Sequence, residues 1–468
     1  MSALALIISG VLWGLTPQAP DVPDRRAAGA LGLRAAIAEA LAASPALQPA
    51  HDAVDMAAIQ ERLEQSTFGL KLAPALHVGT LPNGLRQQQA GLTASRRLLS
   101  GTDVSVSADW MQFGSGDALQ RDAGVTFTAA QSVLQVFGPA PRARLTAARR
   151  ASVSAARAVA DARQQLVIRT ADAYFTIVRG ELLLDAARQA VVRAERLRAA
   201  SGARARVGLA TQLDVMRAEL LAAQSEVALA SAAEALERAR DGLKVLLGRP
   251  IDSPIAVDIN AVPDAVGPPP ADLAVLQAAA LERRLDVRES RDRVKDASRS
   301  ATVAQWAAWP DLHVTMSYTR RGLGYGPSIF NDWLDGWRAG ITTSYGLQRD
   351  AAAAAGAVAA VNVRAAERET FEREQAAAAG VRVAHRAVVR TAGAIEIQRK
   401  AMAVAERQVR LAALRYERGL ADNVDVIDAE MNLLHARTGL IGARVDHALA
   451  RMALDRAAGL LNPDEYTK

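Results

Sequence analysis

The sequence predicts a mainly α-helical fold with membrane β-structure, and three observations point there. Two long proline-free stretches, Arg142 to Arg249 and Gln348 to Asn462, carry apolar residues at three- and four-residue spacing. Short segments before each stretch alternate apolar with small polar residues, as half-exposed strands do. No run reaches the about 20 apolar residues that a membrane-spanning helix needs, so any crossing of a bilayer falls to the strands.

Composition narrows the field first. The 468 residues include no cysteine, which excludes disulfide scaffolds, thiolate metal sites, cysteine nucleophiles and a lipidated N-terminal cysteine. Half the residues are apolar but only 4% aromatic, with mean hydropathy +0.03, so the apolar share is mostly Ala, Leu and Val, a helix-rich mixture. The isoelectric point near 9.9 reflects 56 basic against 50 acidic residues, too small an excess over this length to name a nucleic-acid partner. Leu4 to Leu15 forms an apolar run that fits the core of a secretory signal, which places a signal peptide at residues 1–19.

The helical stretches come next. Val167, Ala171, Tyr174, Val178, Leu182 and Ala186 form one stripe, and Ala403, Val404, Val409, Leu411 and Leu414 form another. Each stretch has a glycine break in its second half, Gly208-Leu209-Ala210 and Gly419-Leu420-Ala421, where one helix ends and another begins. The arm from Arg142 to Val207 spans about 100 Å as a helix, a length suited to coiled coils or a barrel of coiled helices.

Strands are expected at Leu76–Thr80, Asp103–Trp110, Gly124–Ala130, Asp311–Thr319 and Gly340–Leu347, with a turn at Gly322–Gly326. Five of the six tryptophans (Trp110, Trp306, Trp309, Trp333 and Trp337) fall in or beside these segments, as in the aromatic girdles of membrane barrels.

The order of strands, long helix, glycine break and helix occurs twice. A shift of 211 positions aligns Gly208-Leu209-Ala210 with Gly419-Leu420-Ala421, Asp214-Val215 with Asp425-Val426, Arg204 with Arg415 and Gly248 with Gly459. The chain therefore divides into a first repeat at 20–250, a proline-rich linker at 251–270, a second repeat at 271–462 and a tail at 463–468. About two principal strands per repeat leave four per chain, and an open sheet of four cannot cross a bilayer with its edge amides unpaired. Closure across three copies predicts a 12-stranded barrel, a count that a further hairpin between Arg86 and Trp110 would change.

Ala40-Leu41 with Ser44-Pro45, Ala173-Tyr174-Phe175, Leu246 to Pro250 and Arg415 to Leu420 followed by Asp425-Val426, in that order, resemble the TolC-like outer-membrane efflux and secretion proteins over essentially the whole mature chain. The resemblance implies a trimeric outer-membrane β-barrel continued by a periplasmic α-helical barrel. It implies passive export in a tripartite efflux or type I secretion system, with a periplasmic adaptor and an inner-membrane pump of the RND or ABC type as partners, and no cofactor. Val207, Gly208 and Leu209 with Arg418, Gly419 and Leu420 match adaptor-docking turns. Asp425 and Asp428 match carboxylates of the periplasmic constriction, and Tyr416 and Asp214 match residues that hold the channel closed. Where some members carry a gating arginine two residues after the tip glycine, this chain has Ala421, so a lock would draw on Arg415 or Arg418.

Residue chemistry agrees on two points. Asp425 and Asp428 are three apart and share a helical face, so threefold symmetry would make each a carboxylate ring; Asp425 can equally cap its helix. No enzyme signature stands out: the six histidines lack metal-ligand spacing, Gly322–Gly326 lacks a P-loop lysine, and no nucleophile elbow occurs. Tyr174 reads as packing and the arginine pairs as solvated faces. A basic coiled-coil structural or nucleic-acid-binding protein is the alternative, and it leaves the strands unexplained.

Overall fold

The computed structural model describes residues 30–80, 86–114, 119–259, 267–268, 270–309, 311–325, 332–344 and 350–467. The expected signal segment, Pro310 and Gly326 lie outside them. The elements run α1 (Leu33–Ala43), α2 (Gln48–Ser66), β1 (Lys71–Thr80), β2 (Arg86–Arg97), β3 (Thr102–Phe113), β4 (Gln120–Ser132), α3 (Val133–Phe137), α4 (Ala140–Arg206), α5 (Gln212–Leu247), α6 (Leu273–Arg283), α7 (Leu285–Ala307), β5 (Asp311–Tyr325), β6 (Asp332–Ser344), α8 (Asp350–Glu417) and α9 (Asn423–Ala457).

Helices α4 and α8 are 67 and 68 residues long, about 100 Å each at 1.5 Å per residue. Each folds back on a shorter partner, α4 on α5 and α8 on α9. The stripe expected on α4 is the core stripe: Val167, Ala171, Tyr174, Val178 and Ala186 are buried. The stripe expected on α8 is not. Val404, Leu411 and Leu414 are exposed, and the buried positions are Val381, Val388, Ile395, Ala405, Ala412 and Tyr416. Alanine is so frequent on α8 that periodicity alone picked the wrong face.

Two matching cores hold the short helices to the long ones. Ala36 and Ala40 of α1 join Tyr174 and Val178 of α4 and Leu243 of α5; Leu276 and Ala280 of α6 join Val381 and Val388 of α8 and Leu454 of α9. Tyr174 is fully buried, and its hydroxyl donates to the carbonyls of Leu31 (2.9 Å) and Asp258 (3.2 Å), tying the start of the described chain to the segment after α5. Arg249 clamps Glu39 of α1 through two bonds of 2.5 and 2.6 Å.

The sheet differs from expectation in count. Among the described residues six strands pair antiparallel in sequence order, more than the two principal strands per repeat expected. The unexpected strand is β2, whose sequence RQQQAGLTASRR holds one large apolar residue and so hides its alternation. Strand β5 also runs on through Gly322–Tyr325, where a turn was expected. A 12-stranded barrel of three four-stranded chains does not follow from this sheet.

Facing residues show that the sheet is two-sided. One row crossing all six strands reads Leu72, Ala94, Val106, Phe127, Tyr318 and Trp337; the adjacent row reads Ala73, Thr93, Ser107, Thr126, Thr319 and Gly336. The first belongs to an apolar face and the second to a face of small and polar residues. On the polar face Arg321 of β5 pairs with Asp109 of β3 (3.1 Å) and Asp122 of β4 (3.2 Å). Its reach passes Gly124, where a Cβ would sit 3.3 Å from the Arg321 Nε. Among the described residues no helix is long and apolar enough to cross a membrane.

Candidate functional site

The site lies at the end of the helical hairpins remote from the sheet. Each hairpin turns on a glycine in the left-handed region, Gly208 at φ +77° and Gly419 at φ +73°. The turns close with the same pair of bonds. Leu209 N–H donates to Arg204 and Gly208 N–H to Ala205; Leu420 N–H donates to Arg415 and Gly419 N–H to Tyr416. These bonds satisfy carbonyls that a helix end would otherwise leave open, and a left-handed residue is needed to aim them.

The expected docking residues are at these turns and face outward. Val207, Leu209 and Leu420 are each about two-thirds exposed, at 69%, 68% and 66%. Arg418, Gly208 and Gly419 are exposed beside them. These apolar side chains are displayed at the tip of a largely polar arm.

Beneath the turns the two hairpins lock to each other. Leu197 of α4 and Ala218 of α5 pack on Ala412 and Tyr416 of α8 and Val426 and Ala429 of α9. The Tyr416 hydroxyl lies 3.0 Å from the Ser201 hydroxyl. The Arg204 guanidinium sits over the Tyr416 ring, 4.5 Å from its centroid, and donates to the Tyr416 carbonyl. Asn423 Nδ2 donates to the Asp214 carbonyl at 2.6 Å.

Tyr416 and Asp214 therefore both lie at the lock, but they do not touch through their side chains. The Asp214 carboxylate is occupied in a capping box with Thr211, accepting from its N–H at 2.9 Å and its hydroxyl at 2.8 Å. Those bonds hold the Asp214 carboxyl below its ordinary pKa, with the Arg217 charge adding to them. Arg415 and Arg418 stay exposed, and the guanidinium at Tyr416 comes from Arg204 on the other hairpin. Sequence reasoning missed Arg204, Ser201 and Asn423 as lock residues; the only signal was that Arg204 aligns with Arg415 in the repeat.

Asp425 and Asp428 are both exposed on α9, while Asn423, Val426 and Ala429 bury the opposite face. Asp425 is not the cap of α9: that position is Asp422, and Asp425 lies in the first turn, where its charge favours the helix dipole. Among the described residues no cluster of His, Asp or Glu has the arrangement to hold a metal ion.

Residues 276–460 match the family model described as outer membrane efflux protein. Over that segment the chain is similar to outer membrane efflux proteins. A probable efflux pump outer membrane protein, TtgC of Pseudomonas putida, is 25% identical over 383 residues, 77% of this chain and 73% of its own. An antibiotic efflux pump outer membrane protein of the same species, ArpC, is 24% identical over the same share. The fold matches the outer membrane protein VceC of Vibrio cholerae with a TM-score of 0.70 at 20% identity, covering 91% of this chain and 96% of that one. CusC matches with a TM-score of 0.70 at 18% identity, covering 91% and 92%. The chain thus shares the fold of outer-membrane channel proteins, and its second half is similar to a family of efflux proteins.

Proposed function

We propose that three copies of this efflux channel form one conduit, with the sheets joined into a barrel in the outer membrane and the hairpins joined into a helical tunnel below. The observation that carries this reading is the two-sided sheet set end-on to helical arms of about 100 Å. A sheet with open edges cannot stay in hydrocarbon as a single copy. The exposed Val404, Leu411 and Leu414 on α8 supply apolar surface for neighbouring copies to cover. The aligned glycine turns and cores of the two halves support descent from a duplicated unit.

The tips at Val207–Leu209 and Arg418–Leu420 dock a periplasmic adaptor, which links the tunnel to an inner-membrane pump. Asp425 and Asp428 line the constriction, and Tyr416 with Arg204 holds each pair of hairpins together there. The relative named for antibiotic efflux supports small-molecule export over protein secretion. Transport through the conduit is passive, the pump supplying the energy.

The purified protein in a planar bilayer tests the reading. Stepwise conductance from a species of three chains is expected, together with recovery from the outer-membrane fraction of cells. Recovery from the cytosol as a nucleic-acid complex would instead support the coiled-coil alternative.

A further inference from the structure

Where the strands give way to the helices, the chain holds a groove of about 1070 Å³, walled by α3 and the start of α4 on one side and by the end of α7 on the other. That is at the upper end of small-molecule sites, which run to about 1,000 Å³. We propose that the groove seats an anionic phospholipid, with the headgroup phosphate at Arg142, Arg144 at the rim, and the acyl chains running past Phe137 and Trp306 toward the sheet. The proposal goes beyond the channel reading above and rests on its placement of the sheet in a membrane.

The walls change character in the order that a phospholipid does. On one wall Val136 and Phe137 lie next to β4, and Arg142 and Arg150 follow along α4; on the other Trp306 and Val303 lie next to β5, and Arg299 follows back along α7. Apolar side chains therefore line the end at the sheet, and charged ones the end away from it. Phe137 is 76% exposed, and Val136 and Leu99 are exposed beside it, so they form a patch rather than scattered apolar residues. The row Thr102, Gln131, Val314 and Ile341 belongs to the apolar face of the sheet. Thr102 donates to the Gln131 side chain, so that face runs down to the turn whose Leu99 borders the groove. A tryptophan where apolar surface meets charge is typical of a membrane boundary.

The charge left over in the groove is positive. Arg150 is neutralised by Asp292 (3.0 Å) and Asp296 (3.6 Å), and Arg299 by Asp296. Glu289 is held by Arg157 and Ser154, at 3.0 and 2.9 Å. Arg142 donates through Nε to the Leu99 carbonyl at 3.1 Å. Glu64, which shares a smaller pocket with Arg144, accepts from Gln60 instead, at 3.4 Å. Among the described residues neither Arg142 nor Arg144 pairs with a carboxylate, and both are exposed. No acidic side chain stands in the first turn of α4 to offset them. Arginine is the side chain suited to phosphate, because its planar donors meet two oxygens at once.

The groove lies between α4 and α7 of one chain, which pack on each other directly, so it is not a seam that a second copy must cover. A free phosphate leaves the apolar half unused, and an apolar solute leaves the guanidiniums unused. A phospholipid with net negative charge uses both, and basic pockets at a membrane boundary recognise such headgroups. The bound lipid fixes the depth at which the helical arms leave the membrane.

Native mass spectrometry of the full channel, stripped of lipid in detergent and then given phosphatidylglycerol or phosphatidylcholine, tests this. Phosphatidylglycerol should be retained about tenfold more tightly, because only its headgroup carries a net negative charge. Arg142→Gln should remove most of that preference and Arg142→Lys restore part of it. Arg144→Gln, which breaks no bond within the chain, should reduce the preference without lowering the melting temperature. Phe137→Ser, at an exposed position, should weaken retention of both lipids. Equal retention of the two lipids by the wild type, or an unchanged preference in both glutamine variants, would overturn the proposal alone. Displacement of the lipid by millimolar inorganic phosphate, with Phe137→Ser without effect, would make this a site for a free anion and overturn the lipid. Retention of neither lipid would overturn the membrane placement of the sheet as well.

Discussion

Arg204 joins the two hairpins of a chain through a single guanidinium, which covers the Tyr416 ring and bonds the Tyr416 carbonyl. A half-buried cation–π contact contributes about 1 kcal/mol, and a charged hydrogen bond about as much again. Arg204→Ala should therefore loosen the lock by about 2 kcal/mol, a factor of about thirty in the balance between locked and released tips. Single-channel recording is expected to show a matching rise in resting open probability, and an unchanged baseline would mean that Arg204 does not restrain the tip. Glycine gives a contrast at the same scale. Gly208 and Gly248 share a positive φ, +77° and +69°. A Cβ at Gly208 meets nothing within 4 Å, whereas one at Gly248 would come within 2.7 Å of the Ala43 carbonyl oxygen. Gly208→Ala should cost about 1 kcal/mol, the conformational penalty alone. Gly248→Ala should cost more and lower the melting temperature further, since α1 must move; equal shifts by calorimetry would contradict the steric account.

Helix α7 is held against α4 by charge. Asp292 of α7 lies 2.8 Å from Arg157 and 3.0 Å from Arg150 of α4, and 3.1 Å from Lys295. Burial alone would raise its pKa, but the bonds from Arg157 and Lys295 and the charges of Arg150 and Arg157 outweigh that and hold it at about 2. A depressed pKa stabilises the fold above the ordinary carboxylate value, and that contribution is lost as pH falls from about 4 through about 2. Asp292→Asn should lower stability at neutral pH by about 1–2 kcal/mol and flatten the melting curve between pH 4 and pH 2. Parallel wild-type and variant curves through that window would assign the acid sensitivity elsewhere. None of this pairing could be read from sequence, because α4 and α7 are far apart in the chain and every arginine on α4 has several acidic candidates. The long helices were legible because proline is missing from them and glycine marks their ends. Strands β3 and β5 were legible from alternating Val, Met, Trp and Tyr against Ser and Thr. Strand β2 was not, since Ala90, Leu92 and Ala94 barely stand out from Gln89, Gly91 and Thr93. The lock was half legible: Tyr416 stood in a recognisable motif, but its partners Arg204 and Ser201 meet it only through the packing of one hairpin on the other.

In the proposed three-copy assembly, symmetry would turn modest local features into strong ones. The net charge of +6 says little about what passes, because the charges are spread along about 100 Å of arm. In that assembly a passing solute would feel charge repeated in a ring where the tunnel narrows. On α9 the buried face of Asn423, Val426 and Ala429 fixes the rotation of the helix, and that rotation leaves Asp425 and Asp428 exposed together. In a three-copy channel they would form two rings one helical turn apart, six carboxylates in all, and a ring of carboxylates raises the local concentration of cations while repelling anions. The folded single chain does not depend on them, since neither contributes to a core cluster. The double variant Asp425→Ala, Asp428→Ala should therefore assemble normally yet lose most of its preference for cations, by about tenfold in permeability ratio for about 1.4 kcal/mol of lost attraction. Reversal potentials measured across a salt gradient in planar bilayers read this directly. Because both rings are screened by salt, the difference between wild type and variant should shrink as ionic strength rises. An unchanged reversal potential at low salt would place the constriction elsewhere along the tunnel.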